Sequence, residues 1–289
     1  WLHTCQIHQE FIGTGVMGSP MATHLADAGY DVSAYNRTHA KAKALEPKVK
    51  AYETIREVVE GADIIFTIVG YPKDVEEVSL EIMEHAKKGA IIVDMTTSSP
   101  SLAAKLYTIG SDKGYRVMDA PVTGGDLGAI NATLSIMVGG DKEVYEEVLP
   151  LFEKMGKTIN YMGKAGNGQH AKLANQTAIA GAIAGAAESL AYADKHGLDL
   201  ETMLAVISGG SASSWQAVNN GPKMINKDYA PGFFIKHFLK DLNLVIEEKH
   251  ELYLPIVEKV ASIYDILVKN GYEDDGTQAV IDYYTKKLD

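Results

Sequence analysis

The sequence has a single cysteine, Cys5, among 289 residues. No internal disulfide can form, and a reducing compartment, the cytoplasm, is the simplest setting. Also missing is an apolar run of the ~20 residues that a bilayer-spanning helix needs. Leu173 to Ala187 comes nearest, but Asn175, Gln176 and Thr177 interrupt it and Glu188 closes it, so a helix in water is expected and no membrane partner. An excess of positive charge is absent as well. Twenty-seven Lys and Arg stand against 38 Asp and Glu, a formal net charge of −11. Such a surface repels phosphate backbones, which argues against nucleic acid as a partner. The histidines show no metal-ligand spacing, so no metal is expected, and no Ser-His-acid or Cys-His arrangement stands out. Trp1 to Gln6 has neither a cationic start nor an apolar run, so no signal peptide is expected there.

What is present is an ordinary globular composition, with 46% apolar and 22% charged residues. The length suits two domains. From Phe11 to about Tyr161, short apolar runs alternate with amphipathic stretches, the rhythm of βαβ units and a mostly parallel sheet. The runs are Asp31 to Tyr35, Ile64 to Val69, Ile91 to Met95, Arg116 to Asp119 and Leu134 to Val138. Pro20 to Ala28, Ile55 to Gly61 and Pro100 to Gly114 lie between them as helices. After Gly163 helical periodicity takes over. The predicted fold class is therefore α/β, a Rossmann-type doubly wound sheet domain over 1–163, followed by an all-α domain over 164–289. Residues 173 to 193 include nine Ala and two Gly, and the Gly181 to Gly185 spacing predicts a close-packing helix surface.

Phe11-Ile12-Gly13-Thr14-Gly15-Val16-Met17-Gly18 has the form G-x-G-x-x-G and runs straight into a helix. Glycines there permit a tight turn and let backbone N–H groups approach a pyrophosphate at a helix N-terminus. Gly13, Gly15, Val16, Met17 and Gly18 are thus the expected phosphate contacts of a nucleotide cofactor. An NAD site calls for Asp or Glu after the second strand. This chain supplies Asn36-Arg37-Thr38, a cation between two small polar groups, which suits a 2′-phosphate and favours NADP over NAD, with NAD still possible. One feature conflicts with the motif. The first, central strand should be apolar on both faces, yet His8-Gln9-Glu10 precede Phe11. Either the strand is short, or this segment departs from its natural sequence.

Further motifs follow in order: Thr96-Thr97-Ser98-Ser99-Pro100, Asp119-Ala-Pro-Val-Thr-Gly-Gly125, Gly166-Asn-Gly-Gln-His-Ala-Lys172-Leu-Ala-Asn175-Gln176, and Lys240-Asp241-Leu242. With the glycine loop, this set resembles the β-hydroxyacid dehydrogenase family, which includes 3-hydroxyisobutyrate dehydrogenase, tartronate semialdehyde reductase and other semialdehyde reductases. The resemblance covers residues 11 to 285. It implies an NAD(P)-dependent oxidoreductase that interconverts a small hydroxy acid and its semialdehyde in a cleft between the two domains. Lys172 would be the acid/base and Asn175 a substrate-orienting partner three positions along the same helix. Moving a hydride to or from a carbinol requires such a proton exchange, and a lysine can serve both directions.

Thr123, Gly124 and Gly125 would receive the substrate carboxylate, because consecutive N–H groups at a glycine turn form an anion-binding concavity and the hydroxyl adds a donor. Many relatives carry Ser where Thr123 stands. Lys240 resembles the family lysine that reaches toward cofactor and substrate; the competing reading is a surface lysine paired with an acid. Thr97 falls at the position that contacts the nicotinamide end. Val69 and Gly70 stand where a Leu-Pro pair commonly lines the adenosine side. Trp215 is read either as a lining of the substrate cavity or as a buried aromatic. A homodimer or homotetramer is expected from the family. The alternatives are an imine-reducing relative, which usually lacks a lysine at the position of Lys172, and a catalytically silent nucleotide-binding module.

Overall fold

The computed structural model describes residues His8–Leu288; Cys5 and the rest of the N-terminal segment lie outside the described residues. Two compact units divide the chain, residues 1–172 and 173–289.

In the first unit the strands are β1 (His8–Ile12), β2 (Asp31–Tyr35), β3 (Lys50–Tyr52), β4 (Ile64–Thr67), β5 (Ile91–Asp94), β6 (Arg116–Asp119), β7 (Val122–Thr123), β8 (Leu134–Gly139) and β9 (Gly156–Gly163). Interleaved with them are α1 (Gly18–Asp27), α2 (His39–Lys43), α3 (Ile55–Val59), α4 (Pro72–His85), α5 (Pro100–Asp112), α6 (Gly125–Ile130) and α7 (Lys142–Met155). The sheet runs β3-β2-β1-β4-β5-β6-β8-β7, with β9 also paired to β8. From β3 to β6 all pairings are parallel, whereas β8 is antiparallel to β6 and β7. This is the doubly wound order predicted from the rhythm. Its direction reverses at β1 and β4, the switch point at which such sheets bind ligands beyond their carboxyl ends.

Both faces of the sheet are covered. Phe11, Phe66 and Val93 point into one core, while their neighbours Ile12, Ile65 and Ile92 point into the other, the period-2 consequence of a strand buried on both sides. Each such side chain contributes roughly 1.5–3 kcal/mol by leaving water. Local signals start the helices: Thr54 and Glu57 form a reciprocal capping box before α3, and the Ser99 hydroxyl caps α5 with Pro100 at its first position.

Strand β1 is not short. It includes Gln9 and Glu10, only 0% and 6% exposed, in register with both β2 and β4. The central strand thus carries two polar side chains, Gln9 between Val32 and Ile64 and Glu10 between Ser33 and Ile65.

Helix α8 (Asn167–Lys195) begins in the first unit and continues through the second, which adds α9 (Leu200–Gly209), α10 (Trp215–Asn226), α11 (Ile235–Glu248), α12 (Pro255–Lys269), a 3-10 turn (Thr277–Val280) and α13 (Ile281–Thr285). As expected, this unit is helical. Its core gathers Ile183, Leu190, Phe238, Leu242, Tyr264 and Leu267, with Phe238 and Tyr264 edge to face at 5.0 Å. The Gly181 to Gly185 prediction fails within the chain. A Cβ at Gly185 would meet nothing, and one at Gly181 only Ile256 at 3.9 Å; the small residues of this stretch that enter the core are Ala180, Ala184, Ala186 and Ala187. Trp215 is not buried but 58% exposed, at the first position of α10.

Candidate active site

The loop from β1 into α1 is shaped by two glycines and left open at a third. Gly13 has φ +98°, and a Cβ there would lie 2.1 Å from the Ile68 carbonyl oxygen. A Cβ on Gly18 would fall 1.9 Å from the Gly13 carbonyl oxygen. At Gly15 a Cβ would meet nothing within 4 Å, so this glycine answers to no neighbour in the protein and leaves room for a group approaching the backbone. The residues fit a dinucleotide pyrophosphate. Val16 is exposed beside this opening, and Met17 precedes the first residue of α1.

The end of β2 is tied to the same loop. The Thr14 N–H donates to Asn36 Oδ1 at 3.0 Å, and Asn36 Nδ2 donates to the Thr38 carbonyl at 3.1 Å. Arg37 extends into solvent, its side chain 88% exposed, with Nη1 3.5 Å from Asp74 Oδ1. Asp74, in the first turn of α4, accepts the Tyr71 N–H through Oδ2 at 3.0 Å. Val69 and Gly70 form the β4–α4 turn, and the Val69 N–H donates to Thr96 Oγ1 at 2.9 Å.

The buried carboxyls Asp94 and Asp119 end β5 and β6. Asp94 Oδ1 accepts from the Thr67 hydroxyl at 3.0 Å and from the Thr96 N–H at 3.1 Å. Burial pushes its carboxyl up to about 6 against the pull of these bonds. Thr97 follows, half-buried. Asp119 turns toward the start of α8, where Oδ1 accepts the Gly166 N–H at 2.7 Å and Oδ2 the Gln169 N–H at 2.8 Å. Burial raises this carboxyl too, while the backbone N–H groups oppose the rise. The otherwise orphaned donors of the first turn of a helix are satisfied here by a side chain from a strand.

Two further predicted elements belong to this unit. Thr123 ends β7, and Gly124 and Gly125 follow with φ +134° and +64°, values that favour glycine. Lys172 lies on α8 and is only 6% exposed.

Asn175 and Lys240 belong to the helical unit, where a buried chain of side chains connects them. Asn175 Nδ2 donates to Gln176 Oε1 at 3.1 Å, and Gln176 Nε2 donates to Asp241 Oδ2 at 2.7 Å. Lys240 Nζ lies 3.1 Å from Asp241 Oδ1, with the two side chains 11% and 2% exposed. Lys240 is therefore paired with an acid, yet it is not a surface lysine.

Asp94 lies at the end of the apolar run Ile91 to Met95, and an acid at the carboxyl end of a parallel strand is the signal that marks it in the sequence. Asp119 and Gln169 stand inside motifs whose expected roles fall on other residues, and Asp74 has no mark in the sequence. Among the described residues, no group of three or more His, Cys, Asp or Glu is placed to hold a metal ion, and no helix is long and apolar enough to cross a membrane.

Comparison with known proteins places this arrangement. A family model described as the NAD binding domain of 6-phosphogluconate dehydrogenase matches residues 9–163. A second, described as NAD-binding of NADP-dependent 3-hydroxyisobutyrate dehydrogenase, matches residues 166–284. An uncharacterized oxidoreductase of Bacillus subtilis is 45% identical over 282 residues, spanning 96% of this chain and 98% of that protein. The 2-hydroxy-3-oxopropionate reductase of Escherichia coli is 38% identical over 266 residues, 90% of this chain and 91% of that one. Among solved structures, the Mycobacterium tuberculosis 3-hydroxyisobutyrate dehydrogenase with L-serine matches with a TM-score of 0.88 at 29% identity, covering 96% of this chain and 99% of that chain. The chain belongs to the β-hydroxyacid dehydrogenase family, and it is an NAD(P)-dependent oxidoreductase.

Proposed function

We propose that this enzyme interconverts a small carboxylate-bearing semialdehyde and its β- or γ-hydroxy acid, prefers NADP(H), and uses Lys172 as the acid/base. The observation that carries the reading is the position of Lys172, 6% exposed on a helix whose first turn is fixed by Asp119. A lysine so withdrawn from bulk water can exchange a proton with a substrate oxygen instead of with solvent. Reduction takes that proton from the Lys172 ammonium to the carbonyl oxygen as negative charge grows there. In the oxidative direction the neutral amine removes the hydroxyl proton. The nicotinamide, when bound, supplies or accepts the hydride. The Thr123 hydroxyl and the backbone N–H groups of the Gly124-Gly125 turn receive the carboxylate, and Asn175 and Lys240 orient it.

The preference for NADP(H) is supported by the absence of an acid at the end of β2, where Asn36, Arg37 and Thr38 stand. The 2-hydroxy-3-oxopropionate reductase of Escherichia coli and the Mycobacterium tuberculosis 3-hydroxyisobutyrate dehydrogenase with L-serine support a short acid of three or four carbons bearing a β-oxygen. A homodimer or homotetramer belongs to the same proposal. The exposed apolar side chains Tyr192, Val206, Leu252, Tyr253 and Ile256 of the helical unit support it.

The test is NADPH consumption against methylmalonate, succinate and tartronate semialdehydes, glyoxylate and 3-sulfolactaldehyde, in wild type and Lys172→Ala. The variant should lose roughly a hundredfold or more in kcat while still binding NADPH. Retention of more than about a tenth of the wild-type kcat overturns the role given to Lys172, and a wild type inert on the whole panel overturns the substrate class.

A further inference from the structure

Gln169 is fully buried, and its carboxamide is used twice. Nε2 donates to the Thr96 carbonyl at 2.7 Å and Oε1 accepts the Ser98 N–H at 2.9 Å. These two backbone groups flank Thr97, so the side chain does for this residue what a neighbouring strand does for an extended one. The Gln169 backbone is immobilised in turn, its N–H on Asp119 Oδ2. The preceding residue leaves no space for a shift: a Cβ on Gly168 would lie 2.4 Å from the Met137 carbonyl oxygen. Thr96 is also held from the other side, through its N–H on Asp94 and its hydroxyl on the Val69 N–H. The ends of β4, β5 and β6 and the first turn of α8 are thereby joined in one buried hydrogen-bond network, and Gln169 is its crossing point.

We infer that Gln169 is a positioning residue, whose carboxamide sets the distance between Thr97 and the turn of α8 that carries Lys172. The inference rests on the proposed function, in which Thr97 contacts the nicotinamide end and Lys172 exchanges the proton. Hydride and proton transfer both fall off steeply with small displacements of the groups that hold the reactants. A buried carboxamide with its donor and its acceptor both satisfied has one orientation only. Helix α8 could be capped by Asp119 alone, so a glutamine side chain that reaches back to Thr96 and Ser98 serves the loop and not the helix end.

The test compares Gln169→Met, of similar length but with neither bond, and Gln169→Glu, which keeps an acceptor for Ser98 but, when ionised, has no donor for Thr96. In Gln169→Met, kcat should fall 10- to 100-fold with KM changed by less than about threefold, and the Ser98 amide should exchange with solvent faster. In Gln169→Glu, the kcat ratio of variant to wild type should rise as pH is lowered from 8 to 5.5, as protonation restores the donor. Asp94, Asp119 and Lys172 border the network in both proteins, so the ratio isolates residue 169. A Gln169→Met protein with wild-type kcat beside an active wild type overturns the inference alone. A flat Gln169→Glu ratio with impaired kcat at every pH also overturns it and leaves a merely structural role, and this arm holds if Gln169→Met fails to fold. A wild type that turns over none of the panel substrates overturns the function and the inference together.

Discussion

Gln176 of α8 and Asp241 of α11 share a hydrogen bond of 2.7 Å inside the helical unit, both almost wholly removed from water. Asp241 also contacts Lys240 at 3.1 Å, so one carboxylate satisfies a buried amide and neutralises a nearly buried ammonium. Removing one partner of such a group leaves the others desolvated and uncompensated. Asp241→Ala should destabilise the protein by about 3–5 kcal/mol, and Asp241→Asn, which retains a partner for Gln176, by less. Urea unfolding of the two variants checks the order; equal midpoints for wild type and Asp241→Ala would remove the carboxylate from the core of this unit.

The glycine loop predicts two opposite kinds of damage. Gly13→Ala demands a left-handed φ of a residue with a side chain and drives its Cβ into the Ile68 carbonyl, so it should lower Tm markedly. Gly15→Ala meets no protein atom and should fold with an unchanged Tm, yet weaken NADPH binding by roughly tenfold or more by filling the approach to the backbone. Thermal melts and fluorescence titration with NADPH separate the two. A Gly15→Ala protein with wild-type affinity means that the pyrophosphate does not approach there.

Arg37 and Asp74 should act on cofactor choice in opposite directions. Arg37→Ala should lower the ratio of kcat/KM for NADPH over NADH by about tenfold, one charge-assisted contact's worth. Asp74→Asn removes the carboxylate beside the guanidinium and should raise the ratio modestly, since the exposed pair it breaks is itself weak. Steady-state kinetics with both cofactors decide it, and an unchanged ratio in Arg37→Ala excludes Arg37 from recognition.

Glu10 makes stability depend on pH. Burial in β1 is the main cause that raises its carboxyl from 4.5 to about 8; Asp31 and Asp63 add to the rise, while Ser33 and Lys50 oppose it. Between these two values the folded protein holds a proton that the unfolded chain releases, so the contribution of Glu10 to stability is fully present below pH 4.5 and is lost as pH rises through 8. The full cost of ionisation is at most about 5 kcal/mol. Glu10→Gln should therefore be more stable than wild type at pH 8.5, with the difference shrinking at pH 5.5. Urea midpoints of both proteins at the two pH values give the answer, and a gap that does not change with pH contradicts it.

Much of this protein is legible along the chain. Apolar runs bounded by turn residues marked β4, β5, β6 and β8, whose residues are mostly buried, and the alternation of Val32 and Ala34 with more exposed residues marked β2. The same rule failed at β3, β7 and β9. Three residues in β3 and two in β7 are too few to show a pattern, and β9 is largely exposed along its length. It also failed at β1, where pairing with β2 and β4 holds Gln9 and Glu10 in a strand that their side chains disfavour.

The order of motifs determined the family, and the glycine spacing and Asn36-Arg37-Thr38 marked the cofactor end, since each depends on residues a few positions apart. Only the tertiary structure decided how the ends of β4, β5 and β6 meet the start of α8. Asp119 finds Gly166 and Gln169, and Gln169 finds Thr96 and Ser98, across some 50 to 70 intervening residues. A buried hydrogen bond is specified by distance and angle at two atoms. Local periodicity carries no trace of it, so the partners of a buried polar group become visible only when the chain has closed around it.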